Sequence, residues 1–493
     1  MEDNNHYQID KTKSQVATAS WPVLWWALFL LLFVGSILVV FGFPFGPIAI
    51  TTAIILLIFA YRAIYTAFYI SIFFSLFLGI TFSLSTGALK LGERAFGGSI
   101  DIFLGELFLL AVLTAWTIKI LLLWLKRRDI NWRPVLPVWK PYALFAFAHL
   151  VSVFSSYGPD PILIGKYVLR PVLFCYVAFI ALPVNLIRSE RRLRAILGLL
   201  AFVGILATIN AYSSLLYIEP YSWAVRRAHP MPLFGINPIG DNHNLLAELL
   251  LITAPATLAL AFITKKMRTA RVLMAVAGMQ IMASLLTFAR SAWIVFACQT
   301  AFMLFTVWRS YVKKYLGVLL ALIVLLIPLA LYQVKFSFSP TATSSNSTRW
   351  MLTEIAKETF FEHPLIGSGA GTFIWRVGNA QVFIIEFGNP MEAHGFIQKL
   401  AAEVGLFGLL TYAFLLIMLW KFAWRGIKQI SGKPNLVAHI LFAGAFGAII
   451  YQLFNTAYWT SHLWLPIGLL LATVEMYRLR EAKTRNIEVF GQA

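Results

Sequence analysis

Apolar residues run in blocks of about 20 along most of this chain, separated by short polar connections, which is the length needed to carry a helix across about 30 Å of hydrocarbon. Blocks near 21–43, 46–62, 64–86, 102–125, 141–157, 167–186, 195–217, 244–263, 272–289, 291–308, 315–333, 396–420, 435–454 and 461–477 each predict a span. The expected architecture is all-α, a polytopic membrane helix bundle of about 12–14 transmembrane helices, since one or two blocks fit interfacial or re-entrant segments. Residues 1–20 are polar and read as a disordered cytoplasmic N-terminus, 21–333 as transmembrane helices with short loops, 334–395 as one large external loop, 396–477 as C-terminal spans and 478–493 as a cytoplasmic tail. The block from Trp21 lacks a small-residue cleavage site and reads as a retained first span.

The longest polar interruption runs from Ser345 to Gly408. Within it, Met351, Leu352, Ile355, Ala356 and Phe360 alternate at helical spacing with Thr353, Glu354, Lys357 and Glu358, predicting an amphipathic helix over 350–362. Ser347 or Thr348 is placed to cap it, and Pro364 with Gly367 to end it. Its apolar face suits either a membrane surface or packing against neighbouring spans.

Composition changes the picture little. Of 493 residues 60% are hydrophobic and 12% charged, which excludes an ordinary soluble domain. The formal net charge of +19 suggests nucleic acid until the positions are read: Lys126 to Arg128, Arg188 to Arg194, Lys265 to Arg271, Arg309 to Lys314 and Lys421 to Lys433 lie on alternate connections, as the positive-inside rule requires. No nucleic-acid partner is expected. Cys175 and Cys298 both lie in apolar blocks, so no disulfide framework braces the loops.

The candidate chemistry gathers on one side. His394 stands where the long loop enters a span, with Gln398 at i+4, Gly405 at i+11 and Gly408 at i+14 near one helical stripe, and glycines there would admit a neighbouring helix. Such a histidine serves as a base or as a structural hydrogen-bonder. Arg290 lies between two apolar blocks with almost no loop, facing a polar cavity or snorkelling to headgroups. The preceding loop brings Arg226, Arg227, His229, His243 and Asn244, followed by Glu248 inside a span as a possible partner for an arginine. Lys166 and Arg170 sit one turn apart at another outer helix end, suited to anions or to interfacial anchoring. Lys399 and Glu403 read as an internal ion pair below His394.

The GSGAG at Gly367–Gly371 lacks the Lys-Ser/Thr of a phosphate loop, and NST at Asn346 is a weak sequon. No external cluster of carboxylates, Cys or His has metal-ligand spacing, so neither metal nor cofactor is expected. Several cations with one histidine suit sugar transfer from a lipid diphosphate: the cations stabilise the departing anion, the histidine takes a proton from the acceptor hydroxyl, and a single displacement inverts the anomeric centre.

Three blocks carry a resemblance: FGINPIGDNHNLLAELLLI, LLTFARSAWIVFA, and STRWMLTEIAKETFFEHPLIGSGAGTF with AHGFIQKLAAEVGLFG. They resemble the O-antigen ligase and polysaccharide polymerase superfamily, and the last is similar to its pattern of His, then Asn, Ser or Gln, nine residues, Gly, two residues, Gly. Here these are His394, Gly395, Gly405 and Gly408, with Gly395 departing from the pattern. The resemblance covers roughly 234–408. It implies a GT-C-like membrane glycosyltransferase in the bacterial cytoplasmic membrane, with its site on the external, periplasmic face. The implied donor is an undecaprenyl-diphosphate-linked oligo- or polysaccharide, the implied acceptor a lipid or glycan, with membrane lipids around the enzyme. It further implies that His394 is the base, that Arg290 meets the donor diphosphate with Arg226 or Arg227, and that Arg349 is another donor-side cation. The single long loop favours a ligase, with a repeat-unit polymerase as the alternative. A lipid-linked glycan transporter or flippase is the alternative from another class, resting on Lys119 and Glu248.

Overall fold

The computed structural model describes residues 46–85, 99–125, 134–157, 164–216, 227–307, 327–328, 330–332, 334–335, 340–455 and 458–490. In chain order the elements are α1 (Gly46–Arg62), α2 (Ile64–Ser75), the antiparallel pair β1 (Thr81–Ser85) and β2 (Ser99–Phe103), α3 (Leu104–Leu125), α4 (Trp139–Tyr157), α5 (Gly165–Leu186), α6 (Glu190–Leu216), α7 (His243–Ile263), α8 (Met267–Leu285), α9 (Arg290–Thr306), α10 (Pro340–Glu362), α11 (Phe373–Asn379), α12 (Gln381–Phe387), α13 (Phe396–Ile427), α14 (Gly432–Gln452) and α15 (Ser461–Phe490). Most of α5 is wound with i→i+5 hydrogen bonds, in the stretches Gly165–Leu169 and Pro171–Ala181.

The chain is helical, as its apolar blocks predict, and six helices among the described residues are long and apolar enough to cross a membrane: α3, α5, α6, α7, α13 and α14. The expected spans 141–157, 272–289, 291–308 and 461–477 coincide with α4, α8, α9 and the first part of α15. The expected spans 21–43 and most of 315–333 lie outside the described residues.

One expected span is corrected. The block 64–86 is not one helix: α2 ends at Ser75, and the chain then turns into β1. Gly79 donates its N–H to Pro238 O at 2.8 Å, and a Cβ there would stand 1.7 Å from Asn237 O, so backbone contact with the 237–240 turn replaces the helix.

The described residues of Met1–Phe74 and Leu104–Arg133 form one compact unit, and those of Ser75–Phe103 and Pro134–Ala493 form another. In the second unit α7 is the central helix, packed by α6, α8 and α14. Its lower apolar face joins Leu285, Ala289, Ala292, Val295, Phe296 and Tyr451 around Ala247 and Leu251. Small residues let these helices approach: a Cβ on Gly204 of α6 would meet Gln280 and Thr253 side chains, and one on Gly447 of α14 would meet Gln299.

The long loop is itself folded. Its amphipathic helix is α10, starting at Pro340 rather than near Trp350, so Ser347 and Thr348 lie inside it and do not cap it. Leu352 and Ala356 are buried with Phe373, Val377, Phe383, Ala393 and Ala402, so this part of the apolar face packs under α11, α12 and α13 and is not left for a membrane surface.

Candidate active site

The reversal from α8 to α9 takes four residues. Phe288 adopts a left-handed φ of 53°, Thr287 Oγ1 accepts the Ala289 N–H at 3.2 Å, and the Trp293 indole donates to Leu285 O at 3.2 Å. This turn delivers Arg290 as the first residue of α9, where its guanidinium donates to Asn346 Oδ1 of α10 at 2.8 Å. The asparagine of the NST triplet therefore serves as an arginine acceptor.

Arg349 lies three residues beyond Asn346 on α10, about one helical turn away, and is half-buried with its Nε unpartnered. Burial and the Arg290 charge push its guanidinium below the ordinary arginine value. The same Arg349 charge, after burial, pushes the His394 imidazole down. His394 is thereby held neutral near pH 7, with a lone pair free to accept a proton.

Arg227 reaches this group from the other side. Its loop is pinned by the Ala228 N–H to Leu286 O at 2.8 Å and by Asn210, whose amide bonds Met231 N and O at 3.0 Å each. The guanidinium pairs with His243 Nδ1, the first residue of α7, and burial lowers the Arg227 value. Asn242 caps α7 through the Asn244 N–H at 2.9 Å, while Asn244 O accepts the Tyr451 hydroxyl at 2.7 Å. Tyr451 also hydrogen-bonds Ser291, the neighbour of Arg290. Arg227, His243, Asn244, Arg290, Arg349 and His394 are thus linked from loop, α7, α9, α10 and the approach to α13. Arg226 lies outside the described residues.

His394 is set by its neighbours rather than by a carboxylate. Ala393 is buried in the cluster under α10, and Glu392 turns to Lys399 at 2.7 Å. No hydrogen bond to the imidazole is formed among the described residues. A Cβ on Gly395 would stand 2.0 Å from Gln398 Oε1, so the Gln398 amide fills the space that a side chain at 395 would take. The pattern around His394 keeps a polar group there, supplied from one turn later.

Gly405 is corrected in its role. It has φ 70° and ψ −162°, which breaks α13 into two segments and ends the uninterrupted stripe expected from His394 to Gly408. What approaches it is the 364–369 loop and not another helix: a Cβ would lie 2.6 Å from Gly367 N and from Leu365 C. Ser368 N donates to Ala402 O at 2.9 Å, Gly369 N to Glu403 O at 3.0 Å, Leu406 N to Pro364 O at 2.8 Å and Phe407 N to Leu365 O at 3.0 Å. Residues 364–369 are therefore a backbone clamp around the broken helix, with the Ser368 and Gly369 N–H groups and the Pro364 and Leu365 carbonyls spent on protein. A Cβ at Gly408 would meet Val404 and Leu400 of its own helix.

Below the clamp, Lys399 lies 2.7 Å from Glu392 and 3.9 Å from Glu403, so the expected ion pair is present with a second, closer carboxylate. Glu403 accepts the N–H groups of Gly371 and Phe373, the latter at 3.2 Å. Among the described residues Glu248 takes no arginine. Its oxygens accept from Gln452 at 2.7 Å and Asn455 at 2.8 Å, with His462 Nδ1 at 3.8 Å. Lys166 and Arg170 show aromatic contacts, Lys166 Nζ 5.6 Å from the Tyr167 ring centre and Arg170 5.4 Å from that of Phe103. Lys119 Nζ lies 5.1 Å from the Tyr61 ring within the first unit. Among the described residues no group of three or more His, Cys, Asp or Glu side chains is arranged to hold a metal ion.

No curated protein matches this chain. The family model described as O-antigen ligase matches residues 272–413, a stretch that contains Arg290, Arg349, His394, Gly405 and Gly408 and begins after Arg227, His243 and Glu248. Residues 272–413 of this membrane protein are thus similar to the O-antigen ligase family.

Proposed function

We propose that the protein is an inverting, metal-independent glycosyltransferase of the ligase type, moving a glycan from undecaprenyl diphosphate to an acceptor hydroxyl at the outer face of the bacterial cytoplasmic membrane. What supports this reading is that Arg349, one turn from the Asn346 that holds Arg290, carries a charge coupled to both Arg290 and His394. An anionic diphosphate between the guanidiniums would therefore sit beside a neutral imidazole.

In the reaction the acceptor oxygen attacks the anomeric carbon, the bond from that carbon to the diphosphate oxygen breaks, and the electron pair leaves with the diphosphate. Arg290, Arg349 and Arg227 stabilise the departing negative charge. His394 takes the acceptor proton and becomes imidazolium, which the anionic leaving group then stabilises. Gln398 orients acceptor or imidazole from the place beside His394. Lys166 and Arg170 extend the basic border toward the donor's approach.

Purified protein is incubated with labelled lipid-diphosphate glycan in excess chelator, with and without an acceptor lipid. Transfer only with acceptor supports the ligase, a ladder from donor alone makes it a polymerase, and full activity in His394→Ala overturns the assignment of the base. Movement of intact donor across vesicles without transfer would replace the enzyme with a transporter.

A further inference from the structure

A second cationic site lies at the opposite end of the bundle. α13 leaves His394 at Phe396 and is broken at Gly405; Lys421 and Arg425 lie about 24–30 Å beyond that break along the helix, near one hydrocarbon thickness. There the start of α4, the end of α13 and the middle of α15 enclose a cavity of about 570 Å³. That volume is in the range of small-molecule pockets, about 300–1,000 Å³, and exceeds what one phosphate fills.

Its lining is divided. Val138, Pro141, Met418, Phe422 and Val474 make an apolar wall, and at Gly426 the wall is continuous, because a Cβ there would meet Val474 at 2.1 Å. Lys140, Lys421, Arg425 and Arg478 supply four cations against one carboxylate, Glu475. That carboxylate is already engaged by Arg478, at 2.9 and 3.1 Å. Lys421 and Arg425, both exposed and one turn apart, have no acidic partner among the described residues.

A pocket with an apolar wall and uncompensated cations, about one hydrocarbon thickness beyond the Gly405 break, matches an amphiphile with an anionic head. We propose that this cavity binds the headgroup and upper chain of an anionic phospholipid, with Lys421 and Arg425 as the principal contacts to its phosphate. Topogenic charge alone would place cations at this end of the membrane. It would not require a cavity with an apolar wall beneath them.

The test is native mass spectrometry of the full-length protein in detergent, titrated with phosphatidylglycerol and with phosphatidylcholine of the same chains. Wild type is expected to hold phosphatidylglycerol about tenfold or more tightly, since each basic residue near an anionic surface contributes about a fivefold gain. Lys421→Gln with Arg425→Gln should abolish the preference. Arg268→Gln with Arg271→Gln, which removes equal charge at the start of α8, should leave it intact. Equal binding of the two lipids, loss of preference in both double variants, or displacement by millimolar inorganic phosphate alone would each overturn the proposal.

Discussion

Two charge systems in this chain, one buried and one half-buried, are built oppositely. Lys399 is enclosed by Glu392 and Glu403, and Glu403 spends an oxygen on the backbone N–H groups of Gly371 and Phe373. Arg349, Arg290 and Arg227 are met by an asparagine, a histidine and one another's fields, with no carboxylate salt bridge among the described residues. Charge that is neutralised by protein is committed to holding the fold, whereas charge left with neutral partners keeps its capacity for a ligand anion. The carboxylate-bound lysine and the arginine group therefore predict different failures.

The sharpest way to break that contrast is at His394. His394→Ala should lower kcat by about 10²–10⁴-fold while donor binding, read by a labelled lipid-diphosphate pull-down, changes little. Lys399→Met should do the reverse: it strands Glu403 in a closed interior and costs about 3–5 kcal/mol of stability, seen as a lower melting temperature in detergent, with turnover per folded molecule retained. If Lys399→Met left stability unchanged and removed activity, the two systems would have exchanged roles.

A smaller effect is expected at Arg290, where replacement by alanine should cost about 10²-fold in kcat/KM. Next comes pH. Burial and Arg349 lower the His394 value in the free enzyme, so the acid limb of kcat/KM should fall below the ordinary imidazole range. Bound diphosphate offsets Arg349 and favours imidazolium, so the limb of kcat should lie at higher pH than that of kcat/KM. Arg349→Gln should raise the kcat/KM limb and narrow the gap between the two. The smallest change is Gln398→Ala, about two- to tenfold in kcat, partly rescued by adding Gly395→Asn, which returns an amide to the vacated space.

Much of the helical plan was legible because a span needs a long apolar run, and α3, α5, α6, α7, α13 and α14 have one. β1 was not legible: Thr81–Ser85 continues an apolar block, and periodicity does not separate a short buried strand from a helix. The start of α10 was hidden by TATSSNST, because short polar residues favour caps and turns over helix interiors. The residues of the site were visible as types in a pattern, but their grouping was not. Gly405 looked like a helix-packing glycine because a stripe assumes unbroken 3.6-residue turns, and the four hydrogen bonds that interrupt α13 come from residues 34 or 42 positions earlier. That the Gln398 amide fills the space beside Gly395 depends on a contact that only coordinates locate.

The clamp at Gly405 also sets a rule for anyone recombining such proteins. Residues 364–369 and 402–407 exchange main-chain hydrogen bonds in both directions, so this loop and the head of α13 form one cassette. A graft of the loop alone would import a partner shaped for a different helix break. An exchange of this segment must therefore cut before Pro364 and after Gly408, carrying His394 with it.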